Sequence, residues 1–108
     1  MTDFMKMLQQ AQAVTGKLQE VQEELGRQSV SGASGGGMVS AETDGKGNLR
    51  RLSIDPKVVN PADVEMLEEL VTAAVQEAQR KARDLAESEM KKAASGMGLG
   101  GLPFKLPF

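Results

Sequence analysis

Apolar residues recur every three or four positions over the first quarter of the chain. They follow a heptad pattern formed by Phe4, Met7, Ala11, Val14, Leu18, Val21 and Leu25. This spacing places them on one face of an α-helix that we predict over residues 2 to 25. Thr2 or Asp3 can cap its start, and Gly26 can end it. The apolar face has two interpretations, which both stay open: it packs within its own subunit, or it contacts a helix of a second subunit.

The pattern changes to an alternation of apolar and polar residues between positions 27 and 56. It predicts three short β-strands, at about 28 to 33, 38 to 43 and 49 to 54. In the second strand Val39, Ala41 and Thr43 share one face. The glycine-rich segments GASGGG and DGKGN separate the strands, which favours an antiparallel meander. GASGGG lacks the Gly-Lys-Ser/Thr ending of a phosphate-binding loop and has no helix after it, so we do not expect a nucleotide there.

A second helical pattern begins at Asn60-Pro61 and meets no helix breaker before Gly96. Asn can cap such a helix and Pro suits its first turn. About 34 residues would span roughly 50 Å, whereas a compact chain of this size is about 35 Å across. The helix therefore either projects into solvent or is covered by a partner, and the many Ala residues along its apolar stripe favour a partner. The predicted fold is α+β, in the order α-β-β-β-α.

The predicted domain organisation is one domain at residues 1 to 95, followed by a Gly- and Pro-rich apolar tail at 96 to 108. The tail is either a disordered end or a short apolar tether that docks on the protein or on a partner. The N-terminal segment is too polar for a signal peptide, and no segment is long enough to span a membrane. We therefore expect a cytoplasmic protein with no membrane association.

The composition argues against catalysis. The chain has no His and no Cys, which excludes imidazole acid–base chemistry, thiol chemistry and the usual zinc sites. Most of its fifteen acidic residues follow solvated helix faces. We therefore predict a non-enzymatic protein with no cofactor and no metal. The core must be built from Leu, Val, Met and Ala, whose limited buried area makes oligomerisation a natural source of stability.

Charge is segregated along the chain although the net charge is only −2. Residues 58 to 77 contain five acids and no base, whereas residues 78 to 92 contain five bases and three acids. Local basic patches can contact phosphate when the average charge does not favour it. Arg80, Lys81 and Arg83 lie within one helical turn. They are either a phosphate contact or a solvated basic face balanced by neighbouring acids.

Two adjacent arginines lie in the third predicted strand, in the sequence NLRRLSIDP. Because neighbouring residues of a strand point to opposite faces, Arg50 and Arg51 cannot act as one patch. We expect Arg50 on the apolar face, near an acid such as Asp55 or Glu42. Arg51, on the face shared with Leu49, is the better candidate for contact with solvent or phosphate.

The order of these features resembles the YbaB/EbfC family of bacterial nucleoid-associated proteins. The resemblance is carried by RRLSIDP, EMLEELVTAAVQEA and the tail with SGMGLGG and FKLPF, and it covers essentially the whole chain. It implies a homodimer whose paired helices extend as arms, and a cytoplasmic protein that binds double-stranded DNA in the nucleoid. The alternative is an adaptor that docks recombination or replication proteins through its helix faces or the apolar tail.

The residues suited to these roles form two sets. The candidate DNA-binding residues are the cations Arg80, Lys81, Arg83, Lys91, Lys92, Arg51, Lys6 and Lys17. The candidate dimer-interface residues are the apolar Leu18, Val21, Leu25, Val39, Leu52, Ile54, Leu67, Val71 and Ala74. We expect the cations to contact DNA phosphates with little reading of base sequence.

Overall fold

A computed structural model of the protein describes residues 2–96. Its elements are α1 (Thr2–Arg27), β1 (Ser29–Ser34), β2 (Val39–Asp44), β3 (Leu49–Ile54) and α2 (Val64–Gly96), with short 3-10 turns at Gly35–Gly37 and Pro56–Val58. This order confirms the predicted α-β-β-β-α fold. The predicted apolar tail lies outside the described residues, apart from Gly96, which ends α2.

The three strands form one antiparallel sheet in the order β1-β2-β3. In β2 the predicted alternation is confirmed, because Val39, Ala41 and Thr43 are all buried. The first two join the hydrophobic core beneath α2, which packs over β1 and β2. The helix thus covers one face of the sheet, and the other face carries small polar side chains such as Ser40. Strand β3 lies beyond the part of the sheet that α2 covers, and most of its residues are exposed.

The connection between β1 and β2 is a glycine turn. Gly35, Gly36 and Gly37 have φ angles of 59°, 67° and 93°. Residues with a Cβ rarely adopt these angles, so three consecutive glycines allow the tight reversal. Ser34 and Val39 pair across this turn. The glycine-rich segment is therefore the tip of a hairpin.

Helix α2 approaches β1 so closely that their backbones are in contact at Gly32. A Cβ at Gly32 would lie 2.3 Å from the nitrogen of Ala78 and 2.6 Å from the carbonyl oxygen of Ala74. Both alanines have no exposed surface. Small residues on both elements are what permits this approach, because any larger side chain would hold the helix and the strand apart. This contact sets the position of α2 on the sheet.

Helix α1 packs against the second half of α2, in the opposite direction. Leu25 is buried at the sheet end of this pair, and its carbonyl oxygen accepts a hydrogen bond of 2.8 Å from the nitrogen of Gly45. The 33 residues of α2 span roughly 50 Å, and the longest dimension of the molecule is 72 Å. The two helices therefore extend together beyond the sheet, and the prediction that α2 does not fit a compact subunit is confirmed.

The start of α2 differs from the prediction. The helix begins at Val64, and Asp63 caps it by accepting a hydrogen bond of 3.2 Å from the nitrogen of Met66. Asn60, the predicted cap, instead accepts a hydrogen bond from the nitrogen of Ala62 in the preceding turn. Two residues with equally good capping side chains lie three positions apart, and the chain direction after the 3-10 turn decides between them.

A register shift in β3 overturns the predicted placement of Leu49. Arg51 pairs with Glu42, but Leu49 pairs with Thr43, so that Arg50 is an extra residue on its strand. Directly paired residues share a face of the sheet, and Leu49 therefore lies on the face of Thr43, not on that of Arg51.

Candidate nucleic-acid interface

The cations of α2 occupy its exposed surface, and most of them contact an acid one turn away. Lys81 Nζ lies 3.2 Å from Glu77 Oε1, and Arg80 Nη1 lies 3.3 Å from Asp84 Oδ2. The hydrogen bond from Lys81 lowers the pKa of Glu77, and this carboxylate stays ionised and compensates the lysine. Such exposed pairs add little stability. Their main consequence here is that they reduce the positive charge that α2 presents to an anion.

The same compensation occurs further along the helical arm, the part of α1 and α2 that extends beyond the sheet. Lys91 pairs with Glu87 at 3.4 Å, Lys92 with Glu89 at 3.5 Å, and on α1 Lys17 pairs with Glu20 at 3.5 Å. Five of the eight candidate DNA-binding cations thus have an acid of their own helix beside them. Within residues 2–96 the other three candidates, Arg83, Arg51 and Lys6, form no ion pair. The structure therefore divides the candidates into compensated and uncompensated charges, a division that depends on rotamers and is not visible in the sequence.

The three uncompensated candidates lie on different surfaces. Arg51 is on the sheet face that α2 leaves open, where it lines a shallow cleft of about 270 Å³ with Ser31, Ser40, Ser53 and Glu42. Glu42 is the residue of β2 that pairs directly with Arg51. Arg83 projects from the middle of α2, and Lys6 lies near the free end of α1. One subunit does not bring these three residues into one patch.

Arg50 has an acid beside it, as predicted, but that acid is Asp44. Its Nη2 lies 3.9 Å from Asp44 Oδ2 and donates a hydrogen bond to the carbonyl oxygen of Gly26 at the end of α1. Within residues 2–96 Arg50 forms no ion pair with the predicted partners, Asp55 and Glu42. Arg50 therefore ties the sheet to α1 and takes a structural role.

Asp44 organises the turn between β2 and β3. Its carboxylate accepts hydrogen bonds from the nitrogen of Lys46 at 2.8 Å, from the nitrogen of Asn48 at 3.0 Å and from Asn48 Nδ2 at 3.0 Å. Burial raises the pKa of Asp44, but these hydrogen bonds and the charge of Arg50 outweigh it and hold the pKa below its ordinary value. Lys46, which the sequence-based candidate set omits, is thereby held at the tip of a rigid turn.

Apolar side chains are exposed at several places within residues 2–96, and two of these places are on β3 and at the start of α1. On β3 the exposed fractions are 49% for Leu49 and 38% for Leu52, and on α1 they are 64% for Phe4 and 66% for Met7. The first place lies on the same face of the sheet as the core, beyond the strands that α2 covers. The second is the start of the heptad face, beyond the part of α1 that packs on α2. Neither is covered by another part of residues 2–96.

The candidate interface residues differ in how much surface they retain. Leu25, Val39 and Ala74 are at most 1% exposed, because they pack inside their own subunit, so their side chains have no surface left for a partner. Those that keep some exposed area are Leu18, Val21, Leu52, Ile54, Leu67 and Val71.

No helix within residues 2–96 combines the length and the apolar character needed to cross a membrane.

Comparison with known proteins places this architecture among nucleoid-associated proteins. The model of the YbaB/EbfC DNA-binding family matches residues 1–97. The chain is 47% identical to a nucleoid-associated protein of Gemmatimonas aurantiaca, over 98% of this chain and 99% of the relative. It is also 47% identical to one of Streptomyces avermitilis, over 98% and 93%, and 41% identical to one of Granulibacter bethesdensis, over the full length of both.

Proposed function

Because the chain belongs to the YbaB/EbfC DNA-binding family, we propose that it is a nucleoid-associated protein that binds duplex DNA as a homodimer, mainly through phosphate contacts. The observation that carries this proposal is the family match over residues 1–97, together with relatives of the same length named nucleoid-associated proteins. The chain lacks His and Cys, and its chemistry is that of a binding protein. DNA bound in the nucleoid would influence chromosome organisation, gene expression or repair.

Phosphate contact is the binding mode that suits the distribution of charge. The described cations lie on the outward surfaces of helices, turns and one sheet face, and not along one protruding recognition element. Residues spread in this way reach the regularly spaced backbone charges of a duplex more readily than base edges in a groove. Since many of the cations have an acid beside them, each subunit neutralises few phosphates. We infer a modest affinity that depends on pairing two subunits.

The exposed apolar face beside α2 supports the homodimer. Leu49 and Leu52 lie on the side of the sheet that elsewhere forms the core, and they continue that core beyond the edge of α2. If a second copy of the chain packed on Leu49 and Leu52, the apolar face of the sheet would be covered across β3 as well as across β1 and β2. A dimer also provides two helical arms, and so doubles the number of cations available to one duplex.

The proposed binding mode predicts a strong dependence on salt. Raising the salt from about 50 to 200 mM should weaken binding of a random-sequence duplex by roughly tenfold to a hundredfold, because each phosphate contact releases counterions. Fluorescence anisotropy with a labelled duplex measures this effect, and a second duplex of unrelated sequence is the control for base readout. Affinities for the two duplexes should agree within about threefold.

A flat salt response would contradict this mode of binding. Together with a pull-down of recombination or replication proteins that survives nuclease treatment, it would favour the adaptor instead. The observation that supports the adaptor as a second candidate is the exposed apolar start of α1, where Phe4 and Met7 are about two-thirds exposed.

The homodimer is tested by placing a charge on its proposed surface. Leu52→Glu should raise the dissociation constant of the dimer by at least about a hundredfold, because a carboxylate would be buried without a partner. Ser53→Glu is the matched control, since this neighbouring residue of β3 is exposed on the opposite face of the sheet. Light scattering after size exclusion, over a dilution series, reports the mass. Equal dissociation of the two variants would place the dimer interface elsewhere.

A further inference from the structure

A cationic cleft lies where the helical arm meets the sheet. It has a volume of about 110 Å³, and its polar lining side chains are Gln22 of α1, Lys46 of the β2–β3 turn and Arg83 of α2. The remaining lining residues are Leu25, Gly45, Ala82 and Ala86, so that no carboxylate lines the cleft. Both cations are exposed, and neither has an ion pair within the part of the chain that the structure describes. Two positive charges from distant parts of the sequence thus share one concave site.

The absence of compensation at Arg83 distinguishes it from its neighbours on α2. Arg80 and Lys81 each have an acid one turn away, at 3.3 and 3.2 Å. The acid one turn after Arg83 is Glu87, whose Oε1 lies 3.4 Å from the ammonium of Lys91. The guanidinium of Arg83 is therefore the charge of this helical turn that remains available to an external anion.

The second cation is held in position by the fold. The carboxylate of Asp44 binds the backbone of the turn at Lys46 and Asn48. Gln79, one helical turn before Arg83, donates a hydrogen bond of 3.2 Å to the carbonyl oxygen of Gly47 and so ties the turn to α2. The side chain of Lys46 then passes over α1, with its Nζ 3.8 Å from where a Cβ of Gly26 would lie. Preorganisation of this kind lowers the entropic cost of binding.

We propose that Lys46 and Arg83 form a phosphate-binding site that takes a phosphodiester group of the DNA backbone, with Gln22 as a neutral donor beside them. The inference rests on the proposed function and deepens it, because it identifies which residues of the subunit bind the DNA backbone. Arg offers a planar set of donors that suits phosphate oxygens, and Lys adds a point charge. The site lies at the root of the helical arm, so a duplex held there runs along the junction of arm and sheet.

The competing role for Lys46 is structural. Its ammonium lies near the C-terminal end of α1, where backbone carbonyl groups favour a positive charge. In that case its removal would weaken the fold and leave the DNA affinity nearly unchanged. The two roles therefore differ in what a substitution at this position alters.

The test compares two double variants that lose the same charge. Lys46→Gln/Arg83→Gln removes the proposed site, and Lys91→Gln/Lys92→Gln removes two cations that have acids beside them. Each variant lowers the formal net charge from −2 to −4. The first should bind a random-sequence duplex roughly tenfold more weakly than wild type at 0.1 M salt. The slope of log affinity against log salt should become shallower by about 0.9 per subunit, for the one phosphate contact that is lost, and so by about 1.8 for the dimer. The control variant should change the slope by less than half as much.

Each other outcome has a defined consequence. Equal slopes for the two variants overturn the site but leave DNA binding by the protein intact. An unchanged slope with a lower melting temperature assigns Lys46 and Arg83 to stability and also overturns the site. A wild-type protein that does not bind the duplex overturns the proposed function and the site together. Circular dichroism at the assay temperature verifies that both variants are folded.

Discussion

Gly32→Ala is expected to destabilise the subunit by about 3 kcal/mol or more, because the new methyl group has no room between β1 and α2. The new Cβ would lie 2.3 Å from the nitrogen of Ala78 and 2.6 Å from the carbonyl oxygen of Ala74. Both are backbone atoms of α2 and cannot move aside as the end of a flexible side chain does. The helix must therefore shift as a whole away from the core beneath it, and its contacts with Val39 and Ala41 are weakened.

Urea denaturation followed by circular dichroism measures the free energy of unfolding. Gly16→Ala is the matched control, because it makes the same substitution at a helical position with no heavy atom within 4 Å of the new Cβ. It should stabilise the protein by up to about 1 kcal/mol through the better helix propensity of Ala. The free energy of unfolding should therefore decrease in Gly32→Ala and increase in Gly16→Ala. A Gly32→Ala variant as stable as wild type would contradict the direct backbone packing of α2 on β1.

Asp44→Ala has the second-largest expected effect, a loss of about 2 to 4 kcal/mol. The substitution removes an acceptor that binds the nitrogens of Lys46 and Asn48 and the side-chain amide of Asn48. It also removes the anion beside Arg50, which bridges the sheet and α1. Thermal unfolding measures the change, and Asp84→Ala is the control. That exposed partner of Arg80 should cost less than about 1 kcal/mol.

The charge of Asp44 also makes the stability depend on pH. Its pKa in the folded protein lies below the ordinary value of 3.8, so ionisation stabilises the fold above that value. This contribution is lost as the pH falls below about 4 and through the folded pKa, because the unfolded chain then binds the proton more readily. Asp44→Asn keeps an acceptor but does not titrate. Its stability should decline less steeply than that of wild type in this acidic range, and parallel declines would contradict the assignment.

Most of the secondary structure follows from local pattern. The heptad spacing from Phe4 to Leu25 and the alternation around Val39 are periodicities of helix and strand, and each matches the structure to within two residues at its ends. The bounds of β3 are those predicted. The start of α2 moves from Asn60 to Val64 because several residues of similar capping strength compete there. Local signals thus identify the elements but do not choose between equivalent ends.

The bulge in β3 depends on how two strands pair. Whether Arg50 is an extra residue is decided by hydrogen bonds with β2, and no alternation within β3 reports it. The consequence reaches the candidate site, since Asp44 and not Asp55 or Glu42 becomes the acid beside Arg50. A bulge is a property of two paired strands, so the alternation within one strand does not predict it.

The sequence by itself determined the family and the order of elements, because these depend on residue types and short-range spacing. The tertiary structure decided which cations of residues 2–96 have an acid beside them. Acids one turn away compensate Arg80 and Lys81, whereas Lys46 and Arg83, 37 positions apart in the sequence, meet in one cleft. Electrostatic compensation acts over a few ångströms in space. It therefore becomes visible only when the fold brings side chains together.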